Sequence, residues 1–377
     1  MFMDISSDMI HALLPVYLVT VLGASTLTVG FIGGLAEATA SITKVFSGAI
    51  SDWMQRRKLL ATLGYGLAAF TKPVFPPANL IAWIRAVRFL DRVGKGIRGA
   101  PRDALVADIA PVHLRGASFG LRQSLDTVGA FAGPLAAIGL MALTSDRFKV
   151  VFWIAVIPAF VALGLMILEV EEPVRHSGTA TKPTRRLRDV RRMGSAFWAV
   201  VALSTVLILA RFSEAFLVLR ARDVGLRVGL VPLVMVVMNV VYAAAAYPAG
   251  VLADRAGRHL ALLIGFAFLL LSDLVLAFGA SIPLTLLCVA LWGLHMGFTQ
   301  GLFATLVADT APPELRGSAF GLFNLAAGFA MLAASIIAGT LWQTHGPAAT
   351  FLAGAGFTAV AVLGFLLIER YRANVGR

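Results

Sequence analysis

The feature that most constrains the fold of this chain is an internal repeat separated by about half of its length. Residues 104–121 read ALVADIAPVHLRGASFGL and residues 305–322 read TLVADTAPPELRGSAFGL, with twelve of the eighteen positions identical. The two copies are 201 residues apart in a chain of 377. A repeat with this period predicts two copies of one architecture within a single chain.

Each copy is built from long apolar segments. Hydrophobic residues make up 59% of the chain and charged residues 14%, whereas soluble domains have about 45–50% and 25%. Because the apolar runs are continuous, they favour membrane-spanning helices of ~20 residues over alternating strands. We therefore predict an all-α integral membrane protein with twelve transmembrane helices in two six-helix halves. The predicted spans are 3–23, 28–50, 59–77, 79–98, 117–140, 149–169, 196–219, 230–252, 260–278, 283–304, 318–342 and 348–369.

A polar segment between spans six and seven divides the chain. It contains the basic string EEPVRHSGTATKPTRRLRDVRR, and we predict an N-terminal half at 1–170, a cytoplasmic linker at 171–195 and a C-terminal half at 196–377. Nineteen Lys and Arg residues fall in the linker, the C-terminus and the loops on their side, against six in the other loops. Since cytoplasmic loops retain positive charge, we expect a protein of the bacterial inner membrane with both termini on the cytoplasmic side. This distribution accounts for the net charge of +12 without a nucleic-acid partner, although a basic linker could also attract anionic lipid.

Two cytoplasmic loops carry a related charged pattern. Residues 48–57 read GAISDWMQRR and residues 250–258 read GVLADRAGR. Both resemble the G-x-x-x-D-R-x-G-R signature of the major facilitator superfamily of secondary transporters, and this resemblance covers essentially the whole chain. The first copy departs from the signature at Trp53 and Gln55, where Arg and Gly are usual. The resemblance implies the fold of that superfamily and a gating motif at Gly48, Asp52, Arg56, Gly250, Asp254, Arg255 and Arg258.

The gating role implied by the resemblance has a physical basis in helix-end electrostatics. A carboxylate is stabilised at the positive N-terminal end of a helix. Asp52 would then meet the start of span eleven near Ser318, and Asp254 the start of span five near Ser118. The alternative is that the charged loops only fix the topology.

Span five carries a spaced glycine pattern formed by Gly120, Gly129, Gly133 and Pro134. It resembles the antiporter motif G-x8-G-x3-G-P of drug and metabolite exporters in the superfamily, and this resemblance implies export. Gly129 and Gly133 are four residues apart, so they share a helix face and allow another helix to approach closely. The second half lacks the pattern, but ordinary packing of small residues remains an alternative.

Ionisable residues inside the spans are costly in a bilayer and mark functional sites by default. We predict local ion pairs for Arg122 with Asp126, Asp91 with Lys95, and Arg211 with Glu214, because their spacing of three or four places them on one helix face. Asp4 and Asp8 have no cation nearby on their own helix, and apolar surroundings would favour their protonated form. The candidates for proton coupling or substrate binding are Asp4, Asp8, Glu37, Arg122, Asp126, Arg211 and Glu214.

The substrate cavity is expected near the bilayer midplane, as the resemblance implies. Its candidate lining residues are His11, Tyr17, Tyr65, Gln123, Asn239, Tyr242, Tyr247, His295, Gln300 and Asn324. The abundance of Phe and Met predicts a largely apolar cavity for a lipophilic or cationic drug or metabolite, exported against proton entry. A metal or metalloid bound near Asp4, Asp8 and His11 is one alternative, and an importer is another.

The expected partners are therefore a small-molecule substrate, protons and the lipid bilayer, with a monomer as the expected state. No nucleotide cofactor is expected, because the Gly-rich segment 94–103 lacks the spacing of a phosphate-binding loop. No resident metal is expected, because no Cys- or His-rich loop accompanies Asp4, Asp8 and His11. An enzyme is not expected, since the chain carries no recognisable nucleophile and base set. A membrane sensor that does not transport is the alternative from a different class.

Overall fold

The structure is a computed structural model that describes residues 1–54, 56–109, 115–172, 193–310 and 316–375. Within these stretches every regular element is a helix. The α-helices are α1 (Phe2–Thr20), α2 (Thr26–Met54), α3 (Arg57–Thr71), α4 (Ile81–Ile109), α5 (Arg115–Leu143), α6 (Phe148–Ile154), α7 (Val156–Leu168), α8 (Ser195–Ala210), α9 (Ala215–Asp223), α10 (Leu233–Ala256), α11 (Arg258–Phe278), α12 (Ile282–Thr310), α13 (Arg316–His345) and α14 (Pro347–Val375).

These helices form the twelve predicted segments, because α6 with α7 and α8 with α9 each make one segment. Nine segments of the described chain are long and apolar enough to cross a membrane. The other three are α2, α3 and α4; α3 has 15 residues, and α4 carries many charges. Several helices extend beyond the predicted span, as α4 does to Ile109, because a helix can continue into water where the apolar run stops.

Proline residues explain the end of α3. Its last residue, Thr71, is followed by a 3-10 turn at Lys72–Val74 in the sequence KPVFPP. Proline has no backbone N–H and cannot continue the helical ladder. The turn directs the Lys72 side chain into the protein, where it is fully buried.

Span seven, predicted at 196–219, is formed by two helices with a break between them. The chain leaves the helix between α8 and α9, at residues 211–214. The N–H of Ser213 donates to Ser335 Oγ at 3.3 Å, and the N–H of Ala215 donates to Ser213 Oγ at 3.3 Å. Phe212 packs on Trp292 with ring centroids 5.4 Å apart. Side-chain contacts therefore replace the helical hydrogen bonds in this segment.

The chain divides into two compact units. Unit 1 consists of Met1–Leu14 and Leu35–Arg192, and unit 2 of Pro15–Gly34 and Met193–Arg377. One apolar cluster of unit 1 contains Met3, Ala68, Ala69, Ala159 and Leu163. One apolar cluster of unit 2 contains Met193, Phe197, Val200, Val201, Val307 and Ala319. In unit 2, a Cβ added at Gly339 of α13 would lie 2.7 Å from Leu27 Cα of α2, so α2 and α13 pack very closely.

Candidate functional site

Unit 1 contains a cluster of charged side chains centred on α4. Several of them recur at intervals of three or four residues along that helix, so they share one face. Buried charges require partners, and most partners come from α1, α2, α5 and the turn after α3. The charged cluster of unit 1 comprises Asp4, Asp8, Glu37, Lys72, Arg88, Asp91, Arg92, Lys95, Arg98, Arg102, Asp103, Arg122 and Asp126.

Asp91 is paired with other side chains than the one predicted. Its Oδ1 lies 2.7 Å from Lys72 Nζ, and its Oδ2 lies 3.6 Å from Arg88 Nη1. Lys72 Nζ also donates to Ser7 Oγ at 3.0 Å. The predicted pair of Asp91 with Lys95 is therefore wrong. The proline-bound turn after α3 supplies Lys72, and spacing along α4 alone could not reveal it.

The α5 side of the cluster is held by two arginines. Asp126 accepts from both Nη atoms of Arg102 at 3.3 and 3.1 Å and from Arg122 Nη1 at 3.0 Å. Arg122 Nη1 also lies 3.1 Å from Asp103 Oδ1. The predicted contact of Arg122 with Asp126 is present, and it belongs to a larger network that joins α4 to α5.

Asp4 and Glu37 also have cationic partners. Asp4 Oδ1 lies 3.7 Å from Arg98 Nη2, and the Arg98 guanidinium lies 5.1 Å from the centroid of the Tyr65 ring. Glu37 Oε1 lies 3.5 Å from Arg92 Nη1. The expectation of apolar surroundings for Asp4 is thus corrected, because α4 supplies cations that cannot be seen on α1 itself.

Asp8 differs from the other carboxylates of the charged cluster. Among the described residues, no Arg or Lys nitrogen lies within 4.0 Å of it, and its contact is His11 Nδ1 at 4.0 Å. Its side chain is 25% exposed. Lys95 is exposed, and within the described chain it makes no ion pair, yet its charge acts on Asp8 and Glu37. A carboxylate and an ammonium group therefore lie near each other without a direct bond.

The two spaced glycines of α5 pack against the helix that carries Asp4 and Asp8. A Cβ added at Gly129 would lie 2.8 Å from Asp4 Cβ, and one added at Gly133 would lie 2.7 Å from Ile5 O and 3.1 Å from Asp8 Cβ. Real Cβ atoms do not approach this closely, so any side chain here would move α5 away from α1. The spacing predicted close helix contact, and the structure places that contact beside the two carboxylates.

Unit 2 contains a smaller polar group at the break after α8. With the Gln300 amide oriented to satisfy its neighbours, its oxygen accepts from Arg211 Nη1 and Nη2 at 3.0 and 3.2 Å, and its nitrogen donates to Tyr242 Oη at 3.2 Å. Three predicted candidates from three segments are thus brought together. Glu214 begins the turn into α9, where its carbonyl accepts from Leu217 N at 3.1 Å.

The other predicted lining residues are more dispersed. His295 is fully buried, and its Nδ1 lies 2.9 Å from Gly265 O on α11, so it belongs to the contact between α11 and α12. Tyr17 is buried and Tyr247 is 81% exposed. Asn239 of α10 and Asn324 of α13 are partly buried.

The gating motif is described only in part. The side chains of Asp52, Gln123 and Asp254 lie outside the described residues, as do the surroundings of Gly120 and most of the linker. Arg56 and Arg255 are exposed and Arg258 begins α11, whereas Gly48 and Gly250 lie within α2 and α10. Gly257 has φ of +93°, a conformation that favours glycine. The gating role of this motif stays a prediction.

The residues proposed for a metal alternative do not converge. Asp4 lies beside Arg98, and Asp8 is 4.0 Å from His11. In the described part of the chain, no three His, Cys, Asp or Glu side chains are placed to hold one metal ion.

Comparison with known families decides the class of this chain. The family model of the Major Facilitator Superfamily matches residues 1–219 and 212–376. The chain belongs to the Major Facilitator Superfamily. It is therefore a membrane transporter with the all-α fold of that superfamily, as the loop motifs predict.

Relatives within the superfamily differ in what their names state. An uncharacterised MFS-type transporter of Methanocaldococcus jannaschii is 32% identical, covering 97% of this chain and 92% of the relative. The class C tetracycline resistance protein of Escherichia coli is 28% identical over 74% of this chain and 72% of its own. The cis,cis-muconate transport protein of Acinetobacter baylyi is 23% identical over 79% and 74%.

Solved structures of the superfamily share the fold. The nucleoside transporter NupG superimposes with a TM-score of 0.78 at 15% identity, over 98% of this chain and 97% of that protein. A D-xylose–proton symporter gives a TM-score of 0.76 at 16% identity, over 97% and 94%. At these identities the comparison concerns the fold alone.

Proposed function

We propose that this protein is a proton-coupled antiporter that exports a lipophilic or cationic small molecule from a bacterial cell. The observation that carries the proposal is Asp8, a partly exposed carboxylate that lacks an Arg or Lys nitrogen within 4.0 Å among the described residues. The other carboxylates of the charged cluster each have such a partner. A carboxylate without a fixed partner can bind a proton or a cation in turn.

The exchange follows from competition at Asp8. A proton taken up from outside neutralises the carboxylate, and a positively charged substrate is no longer held there. When the proton leaves toward the cytoplasm, the carboxylate regains its charge and can bind the next substrate. The positive charge of Lys95 also acts on Asp8. Glu214 follows Ser213 in span seven as Asp8 follows Ser7 in span one, and it is a second coupling residue in this proposal.

The direction of transport is supported by the glycines of α5. Their pattern resembles the antiporter motif, and they pack α5 directly against the segment of α1 that bears Asp8. The tetracycline resistance protein is a relative whose name fits export. We propose a monomer in the bacterial inner membrane, with both termini in the cytoplasm and the loop motifs as its gate.

Proton-coupled uptake of an organic anion is a second candidate. Lys95 is exposed and without an ion pair in the described chain, and it lies on a helix with a surplus of Arg and Lys over Asp. When Asp8 is protonated, its negative charge no longer offsets the positive charge of Lys95. The carboxylate of a substrate could then bind at Lys95, so that the proton and the anion bind together. The name of the muconate relative fits such a substrate.

A growth panel separates these two candidates. The protein would be expressed in a bacterial host that lacks its major efflux pumps and dicarboxylate carriers. Export predicts improved growth in the presence of lipophilic cations, whereas uptake predicts growth on muconate as a carbon source. Protection against metals or metalloids would instead favour a metal exporter. No change under any condition would contradict transport of these classes.

Asp8→Asn is predicted to abolish the growth phenotype found in that panel. Asparagine keeps the shape of aspartate but cannot take up or release a proton. Asp146→Asn is the matched control, because Asp146 is exposed in a loop with φ of +60°, which asparagine tolerates. Membrane levels of both variants are compared by immunoblot. An unchanged phenotype in Asp8→Asn at normal protein levels would reject the proposed role.

A further inference from the structure

Asp273 of α11 is a charged residue type in an unusual position. It is fully buried in unit 2, and neither carboxyl oxygen has a hydrogen-bond partner among the described residues. An ionised carboxylate without a partner costs several kcal/mol or more to bury. The buried Asp91 of unit 1 is different, because its carboxylate is paired with Lys72.

The Asp273 side chain lies close to the C-terminal end of α8. A Cβ added at Gly354 of α14 would lie 2.6 Å from Asp273 Oδ2, 3.2 Å from Ala210 O and 3.1 Å from Phe212 Cε1. The carboxyl group and the last carbonyl of α8 therefore face the same small space. The last four carbonyls of a helix have no partner within it, and its C-terminal end is electronegative.

The groups that face Asp273 do not supply a positive charge. From α12 the titratable neighbour is Cys288. The neighbours from α14 and from the break are Gly354 and the ring of Phe212, which carry no titratable group. Arg211 is directed to Gln300. Among the described residues, no cationic side chain donates a hydrogen bond to either carboxyl oxygen of Asp273.

Two acceptors that face each other across an apolar space are stabilised when one carries a proton. We propose that Asp273 is a proton-binding site of unit 2, in which the protonated carboxyl donates to the Ala210 carbonyl at the break between α8 and α9. When water enters the break, the O–H bond of the acid breaks and the proton passes to water. The resulting carboxylate then requires hydration, so deprotonation and loosening of the break occur together.

Infrared spectroscopy of the purified protein tests the protonation state directly. The spectrum of Asp273→Asn is subtracted from that of the unaltered protein at pH 7, in lipid nanodiscs. We expect a carboxylic-acid C=O band that is present in the unaltered protein and absent from the variant. Asp223→Asn is the control, because Asp223 is 49% exposed and paired with Arg220 at 2.8 Å; its difference spectrum should show a lost carboxylate. A lost carboxylate band for Asp273 as well would overturn the proposal.

Hydrogen exchange tests the link to the helix break. With exchange times corrected for the intrinsic effect of pH, peptides covering residues 208–218 should exchange faster at pH 9 than at pH 6 in the unaltered protein. Asp273→Asn stays neutral and should show no such increase. An equal increase in both proteins would overturn the link. If Asp273→Asn does not accumulate in membranes, Asp273→Ser, which is also uncharged, replaces it in both experiments.

Neither experiment needs a substrate. The inference about Asp273 can therefore fail while the proposed antiport stands, and a negative growth panel does not decide it.

Discussion

At the scale of single residues, the charged cluster of unit 1 contains paired charges and one carboxylate, Asp8, that lacks an Arg or Lys partner among the described residues. Lys72 and Asp91 form a buried pair 2.7 Å apart, and Arg102 and Arg122 hold Asp126 from two helices. Such pairs fix the positions of helices that could not otherwise bury their charges. Asp8 lies at the edge of this network without such a partner in the described chain, so it can change its charge without breaking the framework.

Lys72→Met is predicted to destabilise the protein by about 3–5 kcal/mol, because it leaves the Asp91 carboxylate buried and unpaired. The double variant Lys72→Met/Asp91→Leu removes both charges and should recover most of the loss. Unfolding in detergent, followed by tryptophan fluorescence, gives the comparison. Lys149→Met is the control, since Lys149 is exposed and bonds to Asn79. A double variant no more stable than Lys72→Met would show that the pair is not the cause.

At the scale of helices, the approach of α5 to α1 links the glycine pattern to the carboxylates. Gly129 lies against Asp4 and Gly133 against Asp8. Sequence spacing predicts that the two glycines share a face, but it cannot identify the helix that they contact. The structure adds that the two glycines contact α1, the helix that carries Asp4 and Asp8.

Gly133→Ala is predicted to reduce stability by about 1–3 kcal/mol, as in other overpacked contacts, and to reduce transport at normal membrane levels. The added Cβ would lie 2.7 Å from a backbone oxygen, so the helices must separate. Gly139→Ala on the same helix is the matched control, because nothing lies within 4 Å of that position. Equal behaviour of the two variants would indicate that close contact at Gly133 is not needed.

At the scale of the whole molecule, the repeat and the apolar runs were sufficient to predict the class of fold. The apolar runs predict twelve helical segments, because each segment must satisfy its backbone hydrogen bonds inside a bilayer, whereas the loop motifs carry the resemblance to the superfamily. These features did not predict the break at 211–214, which depends on contacts of Ser213 with Ser335 and of Phe212 with Trp292. Residues far apart in sequence create these contacts.

The same reason limits prediction of the site. The sequence indicates Asp8 as a candidate for proton coupling because its own helix lacks cations. Among the described residues, no Arg or Lys nitrogen lies within 4.0 Å of its carboxylate. Asp4 is paired with Arg98 of α4, and Asp91 with Lys72 of the turn after α3, so spacing along a single helix does not reveal either contact. Lys95 and Asp273 were visible as charges in spans, but only their lack of partners in the described structure distinguishes them.

The central claim, proton exchange at Asp8, is tested most directly by proton movement in proteoliposomes. The purified protein is reconstituted with an internal pH dye, the membrane potential is clamped with valinomycin and potassium, and the compound found in the growth panel is added on one side. We predict a pH change that depends on the compound and that Asp8→Asn abolishes, while exchange of labelled for unlabelled compound continues. Transport without any pH change in the unaltered protein, or an unchanged proton flux in Asp8→Asn, would contradict the account.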